Sequence, residues 1–176
     1  MSEVLQWGGR NARLTPESIR SAVAEIVNHY RPARRIIAVP PDFSRYHSYA
    51  GTITRFLYDL TGDRLTDILP ALGTHRPLTD SERQTMYPDV PEALFRIHDW
   101  RRDLVTLGEV PREYVRDRSD GAIDRAWPAQ VNRLIADGGH DLILSIGQVV
   151  PHEVIGMANH SKNLFVGTGG ADGINL

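Results

Sequence analysis

The sequence contains no cysteine. That excludes disulfides, thiolate metal sites and thiol nucleophiles together, and it fits a reducing cytoplasm, which is the expected compartment. Lysine is nearly absent as well: of 20 basic residues, only Lys162 is not arginine. No apolar run approaches the ~20 residues that a membrane-spanning helix needs. The opening MSEVLQWGGR lacks the apolar stretch of a secretory signal. Neither sign of charge is in excess. The formal net charge is −2 with no basic stripe, so neither a nucleic-acid partner nor a membrane is expected. The patterns H-E-x-x-H, G-x-S-x-G, Walker A and the EF-hand loop are missing too, as are internal repeats and low-complexity segments.

What is present is an ordinary globular composition. Hydrophobic residues make up 41% and charged ones 24% of 176 residues, enough for one good core and hence one domain over residues 1–176. Thr15-Pro16-Glu17 reads as a helix start, with Ile19, Val23, Ile26 and Val27 on one face. Ile36–Val39 is a short apolar run closed by Pro40 and Pro41, the mark of a buried strand. A helix follows through Ile53, Phe56, Leu57 and Leu60, stopped by Gly62. LTDILPALG is a second strand, SERQTMY a short helix, and Asp103–Val110 a third strand. Residues 112–124 are highly charged and have the weakest pattern. The spacing then predicts a helix over PAQVNRLIADGG, the strongest strand over DLILSIG, a loop leading into a short helix, and a last strand over NLFVG. Helices alternating with short apolar strands define an α/β fold: a Rossmann-like, mostly parallel sheet with helices on both faces.

In such a sheet, ligands bind beyond the carboxyl ends of the strands. The first strand hands over to Asp42, Ser44, Arg45 and His47, and the second to Thr74, His75 and Arg76. DLILSIG leads to Gln148 and His152, and the last strand leads to Thr168, Gly169 and Gly170, with Lys162 just ahead of it. Imidazole titrates near neutral pH, so His75 and His152 can exchange a proton from either side of one substrate, as a racemase requires, or each can be a structural hydrogen bonder in a loop. His29, His98, His140 and His160 have no such placement and are read as surface or structural. Arg45 and Arg76 offer bidentate forks to a substrate carboxylate or phosphate. The GTGGADG turn can cradle a phosphate through backbone N–H groups or serve as a turn alone. Lys162 is either a reactive amine or the one lysine left by an arginine-biased sequence.

Four elements in this order, PPDFSRYHS, LGTHRP, IGQVVPHEVIGM and the Lys162 segment, resemble the N-terminal domain of the nickel-pincer lactate racemase family over roughly residues 35 to 176. The resemblance implies acid/base roles for His75 and His152, and places Asp42 and Arg45 around cofactor and substrate. It implies a covalent thioamide link from Lys162 to a nickel-bearing, nicotinate-derived mononucleotide; by their place on the loops, Thr74, Gly169 and Gly170 are taken as further cofactor-binding candidates and Arg76 as a substrate-binding one. The implied reaction interconverts the configurations of a 2-hydroxy acid by hydride transfer coupled to proton transfer. The lysine context departs from the family: Asn-His-Ser-Lys-Asn stands where Gly-Gly-x-Lys is usual, which leaves the substrate open. Family members carry a second α/β domain, expected to be absent from this chain, and their nickel-ligating histidine is expected beyond Leu176, so no metal ligand is assigned here and this piece alone is expected to be inactive. Two other readings stay open on the residues. One is a non-catalytic α/β domain binding a nucleotide or organic acid on the same loops. The other, a zinc hydrolase, ranks last because no histidine pair has ligand spacing.

Overall fold

The computed structural model describes residues 5–152 and 155–175. The opening MSEV, the Glu153–Val154 step of the IGQVVPHEVIGM element and Leu176 lie outside them. Helix α1 spans Pro16–His29: Thr15 caps it by accepting from the Ser18 N–H, and Ser18 returns the bond, which satisfies two backbone donors at the helix start. Strand β1 is Ile36–Val39, α2 is Ala50–Thr61, β2 is Leu65–Ile68 and α3 is Asp80–Met86. Then come β3 (Leu104–Val110), α4 (Arg112–Arg118), β4 (Trp127–Asn132), α5 (Arg133–Asp137) and β5 (Leu142–Ser145). Two short strands, β6 (Pro151–His152) and β7 (Gly156–Met157), precede α6 (His160–Phe165) and α7 (Ala171–Ile174).

The main sheet is parallel, in the order β2-β1-β5. Its central strand is buried on both faces, which is why IIAV reads as an unbroken apolar run. Ile36 and Ala38 pack with Val23, Val27 and Leu57 of α1 and α2. Ile37 and Val39 pack on the other side with Leu134, Ile135 and Leu164 of α5 and α6. The α/β layering expected from the alternation is therefore present, with helices on both faces.

Asp67 of β2 is buried between these layers, and it is matched: Arg96 Nε lies 2.7 Å from one oxygen and His140 Nε2 2.8 Å from the other. Burial by itself raises the Asp67 pKa. The hydrogen bonds from His140 and Thr66 and the charge of Arg96 outweigh it and hold the carboxyl below its ordinary value.

Three expectations are corrected. The segment read as one helix from Pro128 is split. Residues 127–132 pair antiparallel with β3, and only residues 133–137 are helical, started by the Asn132 side chain accepting from the Leu134 N–H. Val131 at helical spacing is thus a strand residue, because cross-strand pairing outweighs a local pattern. Strand β3 accordingly belongs to this separate hairpin and not to the parallel sheet. NLFVG is helical: an apolar run this short carries no period, and α6 takes its Asn163, Leu164 and Phe165. Residues 112–118 of the weakly patterned segment form α4. Among the described residues, no helix is long and apolar enough to cross a membrane.

Candidate functional site

The site is built at the carboxyl end of β1. The chain leaves Val39 through Pro40 and Pro41, and the Tyr87 hydroxyl donates to the Pro41 carbonyl at 2.9 Å, which pins the strand end from inside the core. Asp42 then caps a short turn over Phe43–Ser48. One carboxylate oxygen accepts from the Ser44 N–H at 3.1 Å and from its hydroxyl at 2.5 Å. The other lies 2.5 Å from His75 Nδ1. A carboxylate oxygen accepts, so Nδ1 carries the hydrogen and Nε2 is the nitrogen left for proton transfer. Asp42 is nearly buried while His75 is 64% exposed, so the ring is held by its inner nitrogen with its outer edge reachable.

His75 arrives from β2 along a loop strapped to its neighbours. The Ala71 N–H donates to the Pro40 carbonyl at 2.7 Å, and the Gly73 N–H to the Gly167 carbonyl at 2.8 Å. Gly73 sits at φ 55°, a left-handed conformation that a side chain disfavours, and this turns the chain back toward Asp42.

Helix α6 is anchored over the same edge by two asparagines. Asn163, almost fully buried, donates from Nδ2 to the Val39 carbonyl at 2.8 Å and to Ser145 Oγ at 3.2 Å. Asn159 accepts from Ser145 Oγ at 3.1 Å and donates to the Gly147 carbonyl at 3.0 Å. The helix thereby bridges the ends of β1 and β5, and Lys162 comes to the cleft beside Asn163.

The resulting cleft, about 230 Å³, is lined by Asp42, Arg45, Thr74, His75, His152 and Lys162. They come from separate stretches of chain: the β1 loop, the β2 loop, the β6 strand and α6. The sole primary-amine side chain of the sequence thus shares a pocket with two imidazoles and a guanidinium.

Six of the residues singled out from the sequence do not line this cleft: His47, Gln148 and Thr168, and with them Arg76, Gly169 and Gly170. Arg76 is turned to Glu82, with Nη1 and Nη2 at 2.7 and 2.6 Å from its two oxygens, and lines an adjoining cavity instead. Gly169 and Gly170 are buried under the β3–β4 hairpin. A Cβ on Gly169 would overlap the Phe165 carbonyl, and one on Gly170 the side chains of Gln130 and Leu104, so both glycines serve close packing. Two residues escaped sequence reasoning. Asn163 had one signal, a polar residue inside an apolar run. His98, read as surface or structural, is buried: Nδ1 accepts from Asn132 Nδ2 at 2.9 Å, and Nε2 donates to the Gly169 carbonyl at 3.0 Å. Burial lowers its pKa, with the Gly169 bond opposing. Among the described residues, no group of three or more His, Asp or Glu side chains is gathered to hold a metal ion.

Comparison with known proteins places the fold. A family model described as the lactate racemase N-terminal domain matches residues 14–176. A crystal structure of a Thermotoga maritima protein is similar at TM-score 0.77 and 23% identity, covering 90% of this chain and 39% of that one. The lactate racemase apoprotein from Thermoanaerobacterium thermosaccharolyticum is similar at TM-score 0.66 and 19% identity, covering 89% of this chain and 37% of that one. This chain therefore spans less than two fifths of either solved structure, and at these identities the likeness is one of fold. No curated protein matches it. The family match covers nearly the whole chain, and the protein belongs to the lactate racemase N-terminal domain family.

Proposed function

We propose that this cleft is one half of the active site of a racemase or epimerase acting on a 2-hydroxy acid, completed by a second α/β domain of the same protein. The observation that carries the reading is the meeting of His75, His152 and Lys162 in one pocket from three separate stretches of chain. The donor set fits the nickel-pincer mononucleotide. Lys162 supplies the only side-chain amine able to form the thioamide, and Asp42 and Thr74 line the pocket beside it. When bound, that group supplies a reversible acceptor for the hydride of the substrate's C2.

This chain's own residues do the rest. Arg45 takes the substrate carboxylate in its guanidinium fork, since Arg76 is already committed to Glu82. His75, its Nδ1 held by Asp42, takes or returns the hydroxyl proton through Nε2. His152 performs the same exchange for the opposite enantiomer. Two bases are needed because the two hydroxyls approach from different sides. The test uses protein loaded with the cofactor in cells that make it. Single His75→Ala and His152→Ala variants should each lose racemisation of lactate by about 100-fold or more, the range that general acid–base groups contribute. Full activity in either variant would remove that histidine from the reaction.

A further inference from the structure

A second space lies on the other side of His75. This cavity, of about 310 Å³, adjoins the main cleft and shares Asp42, Ser44 and His75 with it, so the imidazole stands between two spaces. Phe43 and Leu78 give the second space its apolar surface, and Arg76 and Glu82 give it a charged pair. That pair is closed on itself. Arg76 donates twice to Glu82 and once to the Pro77 carbonyl at 3.0 Å, while Glu82 also accepts from the Thr79 N–H at 2.9 Å and its hydroxyl at 3.1 Å. The Arg76 hydrogen bonds hold the Glu82 carboxyl down at about 2, so it stays ionised across any working pH. A ligand group entering this space therefore meets apolar walls, a satisfied guanidinium and a fixed negative charge.

From this we infer that the second cavity receives the side chain of the substrate, and that the substrate is a 2-hydroxy acid whose side chain is apolar and larger than the methyl of lactate. A second carboxylate is rejected, because Glu82 already occupies the Arg76 fork and would face it with like charge. The inference rests on the hydroxy-acid reading of the main cleft and assigns the arm that selects among such acids.

Titration of the isotope-labelled protein, carrying both domains and loaded with the cofactor, with lactate, 2-hydroxyisocaproate and malate, read by calorimetry and by backbone amide shifts, tests it. The branched acid should bind about tenfold or more tighter than lactate, from the added apolar carbons, and should shift the amides of Phe43 and Leu78, while malate binds no better than lactate. Leu78→Trp should return the branched acid to the affinity of lactate. Glu82→Gln keeps an acceptor for the Thr79 N–H but frees the Arg76 charge, and should raise malate affinity about tenfold. Equal affinities for lactate and the branched acid, with no shifts at Phe43 and Leu78, would overturn the arm and leave the main cleft's reading intact. Malate gaining nothing from Glu82→Gln would overturn the charge gate. If none of the three acids binds, the arm and the hydroxy-acid reading fall together.

Discussion

Replacing Asn163 by alanine should loosen the site without touching any proposed reacting group. The buried amide makes two hydrogen bonds, to the Val39 carbonyl and to Ser145 Oγ, and these two bonds fasten α6 across the ends of β1 and β5. Each is worth about 1 kcal/mol net. The Val39 carbonyl is not orphaned, because it also accepts from the Ile146 N–H at 3.1 Å, so no full desolvation penalty is added. The expected loss is about 2 kcal/mol, or about 4–8 °C in Tm for a domain of this size. Thermal and urea unfolding measure it, with the m-value unchanged. Since Lys162 precedes Asn163 on the same helix, covalent loading at Lys162 should fall with it. A variant within about 0.5 kcal/mol of the parent, the scatter of ordinary surface changes, would refute the clamp. Normal loading in a destabilised variant would show that the clamp does not set the position of Lys162.

Two other changes bear on distinct links. Asp42→Asn keeps the shape but can present an N–H to His75 Nδ1, which favours the wrong tautomer; turnover of the loaded protein should drop about 100-fold or more while Tm moves little. An unchanged rate would break the Asp42–His75 pairing as a functional unit. The buried Asp67 predicts an acid limb in stability. Its folded pKa lies below the ordinary carboxylate value, so its contribution is present above about 4 and is lost as pH falls through the lower folded value. Asp67→Asn should remove that limb and cost about 3 kcal/mol at neutral pH, by leaving His140 and Arg96 without their buried partner. Urea titrations from neutral pH downward that show the same slope in parent and variant would contradict this assignment.

The parallel layers were legible because β1 is apolar on both faces and the polar loops bearing Asp42, His75 and His152 each come after a strand of that sheet. Asp42, Arg45, Thr74, His75 and His152 could be gathered on paper from that rule alone, and the cleft contains them. Lys162 was found for a different reason, as the only amine in an arginine-rich chain. What failed is what depends on contacts far apart in sequence. The β4 strand is selected by pairing with β3, about 17 to 28 residues earlier along the register, and local spacing favours a helix there. NLFVG is too short to declare a period, and its conformation is settled by Asn163 reaching back to Val39. Arg76 looked available because nothing near it in sequence reveals that Glu82, which caps α3, also returns to take its guanidinium. His98 and His140 bear no mark of burial in the sequence, because a histidine becomes a core residue only when Asn132, Gly169, Asp67 and Leu134 supply partners for both ring nitrogens.

The central claim is chemical: an amine at one position carries the cofactor. Intact mass spectrometry of the protein made in cells that supply nickel and synthesise the pincer mononucleotide, followed by peptide mapping, tests it most directly. The account predicts a covalent adduct on the peptide containing Lys162, absent from the Lys162→Ala and Lys162→Arg variants. An unmodified Lys162 peptide in active protein, or an adduct that persists in those variants, would contradict it.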